Sequence, residues 1–308
     1  MKLFLNRTIS MLTMSAILMS SSAILRVDSA TTTVIYSKYD CVNGGAPTTY
    51  SLSISDTNVS RGIVGADGRV QAGFDGVVRL SSGSTGFIVD DHVIATAAHC
   101  VNKIHDLELK HEYEDTYYFR PELKIHLYNN DGTPKNTEPL DILEIHVPQS
   151  YINDYSRMDD YALLVVEEDL SDYTHFDLGI PCDVLSTEFR AIPLYATGRS
   201  KSFNGITNYQ NLLYTGQGYA HYSSNSDAFR YTCDAIGGNS GCPVYVACQY
   251  TVETDTHVDT YITYTAIAIH CGSGPTISET NTNCRYNEGS PMTSSKLQFY
   301  LNNPNIDY

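Results

Sequence analysis

A chain of 308 residues with 42% hydrophobic content is long enough for one large domain or two packed subdomains, and disorder is not its expected state. Its net charge of -16 excludes a sequence-independent nucleic-acid binder and electrostatic docking on anionic membranes, since both need a basic surface. Neither a nucleic-acid partner nor a stable membrane association is therefore expected.

The chain opens like a secretory signal over residues 1–29. Lys2 and Arg7 give a positive start, Met11 to Ala23 is mostly apolar, and Ser21-Ser22-Ala23 and Val27-Asp28-Ser29 both offer small residues for cleavage. The apolar stretch is short and interrupted, so a soluble, exported, extracellular protein is expected. Residues 30–62 are rich in Ser, Thr, Gly and Asn and read as a propeptide or flexible lead-in. Residues 63–308 then form the folded domain.

From Gly62 onward the texture changes to short strands between turns. Val77 to Leu80, Phe87 to Val89, Val93 to Ala95, Lys124 to Tyr128 and Ile142 to Val147 read as strands, with Asp90-Asp91 as a hairpin turn. Tyr161 to Val166 is a near-continuous apolar run suited to a core strand. Thr251 to His270 alternates long enough for a hairpin, and β-branched and aromatic residues dominate throughout. One helix is predicted at the end, capped by Ser294 or Ser295, with Leu297, Tyr300 and Leu301 on one face. The fold class is all-β: two six-stranded antiparallel barrels with a C-terminal helix.

Three stretches carry chemistry. Gly237 to Val244 reads Gly-Gly-Asn-Ser-Gly-Cys-Pro-Val, and its glycines permit a tight loop exposing Ser240. Thr96-Ala97-Ala98-His99-Cys100 follows an apolar strand, and Asp160 directly precedes another. A hydroxyl, an imidazole and a carboxylate are what acyl transfer through a covalent serine intermediate requires. Ser240 is the nucleophile, His99 the base, and Asp160 the group that fixes the imidazole; alternation lets only one of Asp159 and Asp160 face the ring, and Asp160, which adjoins the apolar run directly, is preferred. The amides of Gly238 and Ser240 form the oxyanion hole. A cysteine nucleophile at Cys242 is disfavoured by Pro243.

These three stretches, in the order His, Asp, Ser, resemble the chymotrypsin-fold serine proteases, and within them the glutamyl endopeptidase-like group of secreted enzymes. Ile63 to Arg69 resembles that group's mature N-terminus. Gly83 to Ile88 resembles the strand before the histidine, and Ala268-Ile269-His270 its pocket strand. The resemblance implies protein or peptide substrates, a monomer, no cofactor and no metal, with cleavage after Glu and more weakly Asp. His270 would bind the substrate carboxylate. Ala235 lacks the hydroxyl the group often has there, and Ser273 would compensate. Asn239 stands where trypsin-type enzymes have an Asp, so trypsin-like zymogen switching is not expected. Processing near Arg61, Gly62 or Ile63 is expected to raise activity. A different specificity, or a non-catalytic binding protein on this scaffold, are the alternatives.

Eight cysteines in an exported chain favour disulfides, and no Cys-x-x-Cys or His-x-x-x-His spacing supports zinc. Pairing of Cys271 with Cys284 would close a local loop. The resemblance further implies a Cys41–Cys182 tether, while Cys100 lacks its usual partner because Thr85 occupies that neighbourhood.

Overall fold

The computed structural model describes the strands at 24–27 and 32–37 and residues 63–64, 67–72, 75–102, 117–118, 123–181, 192–203, 206–221, 228–253, 258–274 and 285–301. Six strands build a first barrel: β1 (Val77–Leu80), β2 (Thr85–Asp90), β3 (Val93–Thr96), β4 (Lys124–His126), β5 (Leu140–His146) and β6 (Ala162–Val166). They run in the order β6-β3-β2-β1-β4-β5, and β5 pairs back onto β6 to close the ring. Closure leaves β6 apolar along its whole length, since it packs between β3 and β5 with all five residues buried. Val78, Leu80, Ile88, Ile94, Ile125 and Leu164 share the interior face, while Phe87 points the other way and packs edge-on to Phe176.

The second sheet holds β7 (Leu194–Gly198), β8 (Tyr214–Gly218), β9 (Phe229–Tyr231), β10 (Pro243–Glu253), β11 (Val258–Ser273) and β12 (Asn287–Pro291). Its order is β9-β12-β11-β10-β7-β8. Among the described residues, the two ends meet through the isolated bridge Ala220–Tyr231, the flanking backbone bonds from the His221 N–H to Arg230 and from the Thr232 N–H to Tyr219, and the Thr232 hydroxyl on Tyr219, so this ring is held more loosely than the first. One departure from the antiparallel expectation is Phe176–Leu178, which lies parallel to β11.

The β10–β11 hairpin starts eight residues earlier than alternation indicated. Val244 to Val246 and Ala266 to Ile269 are buried continuously, which erases a period-2 signal. Ile24–Val27 and Thr32–Ser37 pair as a hairpin, and the second strand adds to β10 from Gln249 to Glu253. The β-branched run at 32–35 is the local reason, although the segment reads as a lead-in by composition. Among the described residues, no helix is long and apolar enough to cross a membrane.

The C-terminal helix is Ser294–Leu301. Its N-terminus is capped by Thr293, whose Oγ1 accepts from the Lys296 N–H at 3.3 Å, rather than by either serine. The Lys296 ammonium is buried and donates to Ser290 Oγ and to the Pro291 carbonyl, both at 2.6 Å, and to the Met158 carbonyl. Burial pushes its pKa down to about 8. The helix is thereby bolted to the 3-10 turn Arg157–Asp159 that precedes Asp160. Lys296→Met should remove these three bonds, leaving the Met158 carbonyl only the Ser290 hydroxyl, and destabilise the fold by about 2–3 kcal/mol, read as a drop in the urea midpoint at unchanged m-value.

Candidate active site

The pairing register brings His99 and Asp160 together. Ala162 of β6 faces Thr96 at the end of β3, so Asp160, two residues before Ala162, arrives beside the start of the helix Ala98–Asn102. That helix carries His99. The Asp160 carboxylate accepts the His99 backbone N–H at 2.9 Å through Oδ1 and the ring Nδ1–H at 2.6 Å through Oδ2. Two bonds from one side chain fix both the position and the tilt of the imidazole. Asp160 is only 4% exposed, and Asp159 is half-buried and makes no bond to the ring. Burial pulls the His99 pKa down, but the hydrogen bond to Asp160, with the neighbouring Cys100 thiol, outweighs it and holds the imidazole above its ordinary value.

The serine loop is fixed from both barrels. Gly238 and Gly241 have φ of +99° and +84°. A Cβ on Gly241 would lie 2.2 Å from the Thr85 carbonyl and from Thr96 Oγ1, so only glycine fits that approach. Thr85 holds the loop from β2: its N–H donates to the Ser240 carbonyl at 2.9 Å and its hydroxyl to the Gly238 carbonyl at 2.7 Å. The same hydroxyl accepts the Arg199 N–H at 3.1 Å. On the other side the Gly241 N–H donates to the His270 carbonyl at 2.8 Å. Among the described residues, the Gly238 and Ser240 amides donate to no protein acceptor.

Gly241 packs against Thr96 and the Ala97 N–H, which sets Ser240 next to the segment carrying His99. The Ser240 hydroxyl makes no hydrogen bond to the ring, however. His99 Nε2 has the Cys100 Sγ as its neighbour at 3.7 Å. Bonds between a nucleophile and its base commonly tighten only when substrate is engaged.

His270 lies on β11 and is 4% exposed. Its Nδ1 is 2.5 Å from the Tyr231 hydroxyl. The phenol is the better donor and the imine nitrogen the better acceptor, so Tyr231 donates and the proton of the neutral ring resides on Nε2. Burial, together with the positive charges of His99 and Arg157, pushes His270 down to about 3. Ala235 is buried, and Ser273 is half-buried opposite Asn287.

Three further residues at the site carry no motif signal in the sequence. Asp234, six positions before Ser240, is a buried acid that would favour a cationic substrate if free. Both its oxygens are occupied: the Val64 N–H donates to one at 2.8 Å and the Gly68 N–H to the other at 2.7 Å. Burial pushes its pKa up to about 6 against the pull of those donors. Arg157 sits beside Gly272 of the pocket strand, 47% exposed, and pairs with Glu288. Tyr231 was hidden in the alternation of Phe229-Arg230-Tyr231.

Three thiols among the described residues are held in their neutral form. Cys233, Cys242 and Cys271 all have their pKa pushed up by burial. Cys271 is unbridged and its thiol donates to the Ile269 carbonyl at 3.3 Å; its suggested partner Cys284 lies outside the described residues, as do Cys41 and Cys182.

Residues 84–250 match the family described as a trypsin-like peptidase domain. The solved structure "Structure of Glu endopeptidase in complex with MPD" matches with a TM-score of 0.54 at 16% identity, over 78% of this chain and 98% of that one. At that identity the likeness is one of fold. No curated protein matches the sequence.

Proposed function

Because the chain belongs to the trypsin-like peptidase domain family and is a serine endopeptidase, we propose that it cleaves peptide bonds after Glu, and more weakly Asp, using Ser240, His99 and Asp160. His99 takes the Ser240 proton as the hydroxyl attacks the scissile carbonyl. Asp160 steadies the imidazolium that forms, and the Gly238 and Ser240 amides receive the oxyanion. His99 then returns the proton to the leaving amine, and water hydrolyses the acyl-enzyme by the same route. The observation that carries this reading is the double hydrogen bond of Asp160 to His99, next to a serine loop whose two amides are free. We also propose that the protein is exported, on the strength of its signal-like start.

The acidic preference is supported by the state of His270. A neutral ring with Nδ1 satisfied by Tyr231 offers Nε2–H to an anion, and Arg157 adds positive charge at the strand edge. Asp234 does not oppose this, since backbone amides already occupy its carboxylate. Cleavage profiling with a peptide library should return Glu, then Asp, before the scissile bond. His270→Leu should lower kcat/KM for Glu substrates by about 100-fold, as the loss of a buried charge-assisted hydrogen bond. Arg157→Gln, on a half-exposed charge, should cost only about threefold. A wild-type preference for Arg, Lys or bulky apolar residues would refute the assignment.

A further inference from the structure

Asn239 immediately precedes the nucleophile and is fully buried. Its Oδ1 accepts from the Ser200 hydroxyl at 2.5 Å. Ser200 Oγ in turn accepts from Arg69 Nη1 at 2.8 Å. Arg69, 4% exposed, also grips Asp67 with both arms of its fork, Nε to Oδ1 at 2.8 Å and Nη2 to Oδ2 at 2.7 Å. Its guanidinium lies 5.6 and 5.9 Å from the ring centroids of Phe203 and Tyr214, which stack on each other at 4.4 Å.

Each link donates in one direction, from guanidinium to hydroxyl to amide oxygen, so the bonds polarise one another. The cation itself is held by a bidentate carboxylate and an aromatic pair, a geometry suited to arginine. At the far end, among the described residues, Asn239 Nδ2 has no hydrogen-bond partner. The bond from Ser200 is therefore what decides which way this buried amide points. The Asn239 main chain is part of the loop, with its N–H on the Ile236 carbonyl and its carbonyl on the Cys242 N–H. The side-chain bond from Ser200 adds a third anchor, beside these two, to the residue that adjoins Ser240.

We propose that Arg69 is a positioning residue for Ser240, acting through Ser200 and Asn239. The proposal rests on the reading of Ser240 as the nucleophile. It gives residues 67–69 a task at the chemical step: an ion pair internal to this segment sets the nucleophile loop from behind.

The test is a double-mutant cycle on the processed enzyme with a Glu-containing peptide, alongside Ser240→Ala. Arg69→Met and Ser200→Ala should each lower kcat by about 10- to 100-fold, the range expected for a displaced reacting group, with KM within about threefold. The double variant should be no slower than Arg69→Met alone, because both changes cut one chain of bonds. Ser200→Ala removes a single oxygen and decides the matter should Arg69→Met fail to fold. Unchanged kcat in Ser200→Ala, strictly additive losses, or an effect confined to KM would overturn the proposal. Residual full activity in Ser240→Ala would instead overturn the assignment of the nucleophile.

Discussion

Ser240→Ala should reduce kcat by about 10^6-fold, close to 8 kcal/mol of barrier, while the melting temperature stays near that of the parent. The size follows from what the hydroxyl supplies. Without it there is no covalent intermediate, and water must attack an amide held only by the pocket and the two loop amides. The small structural effect follows from its surroundings, because the half-buried hydroxyl makes no hydrogen bond whose loss would strand a buried partner. The loop owes its shape to Thr85, Gly238 and Gly241, all untouched by the change. Single-turnover kinetics would check the prediction. A loss below tenfold would be incompatible with Ser240 as nucleophile.

Asp160→Asn should cost about 10^4-fold in kcat, and its pH profile should change as well. The amide could still accept the His99 backbone N–H. Its NH2 group would face Nδ1, however, and force the ring proton onto Nε2, where the base has to accept. The direction of the pH effect follows from the pairing. His99 works as a base only when neutral, and Asp160 holds its pKa above the ordinary imidazole value of about 6.5. Wild-type kcat/KM should therefore fall as pH drops through a midpoint above that value. In Asp160→Asn the burial that lowers the pKa remains while the carboxylate is gone, so the midpoint should move down. A wild-type acid limb below pH 6, or one unmoved by the substitution, would contradict the assignment. The same pairing contributes most to stability below the unfolded pKa, and that contribution is lost as pH rises through the raised folded value.

Much of this architecture is legible in the residues. The strands of the first barrel are written in Val77 to Leu80, Val93 to Ala95 and Tyr161 to Val166, because short apolar runs between polar turns have few other uses. The register that joins Asp160 to His99 is implicit in two apolar strands that end at those residues. What eludes a linear reading depends on contacts between distant segments. Nothing in the chain order shows that the Val64 and Gly68 amides cover Asp234. Arg69 enters the sequence only as the end of the Ile63 to Arg69 stretch, and the fold buries it against Ser200. Thr293 rather than a serine caps the last helix, a shift of one position that hydrogen-bond geometry decides and composition does not. Cys100 is noticeable in the sequence as a thiol lacking its usual partner, but its place against His99 Nε2 emerges only from the turn of the short helix.

The most direct measurement is covalent labelling of the processed protein with a fluorophosphonate, followed by mass-spectrometric mapping of the adduct. A single phosphonylated residue at Ser240, absent when His99 is replaced by alanine, is the predicted result. An adduct at another side chain, or full peptidase activity in protein that takes up no label, would contradict the account.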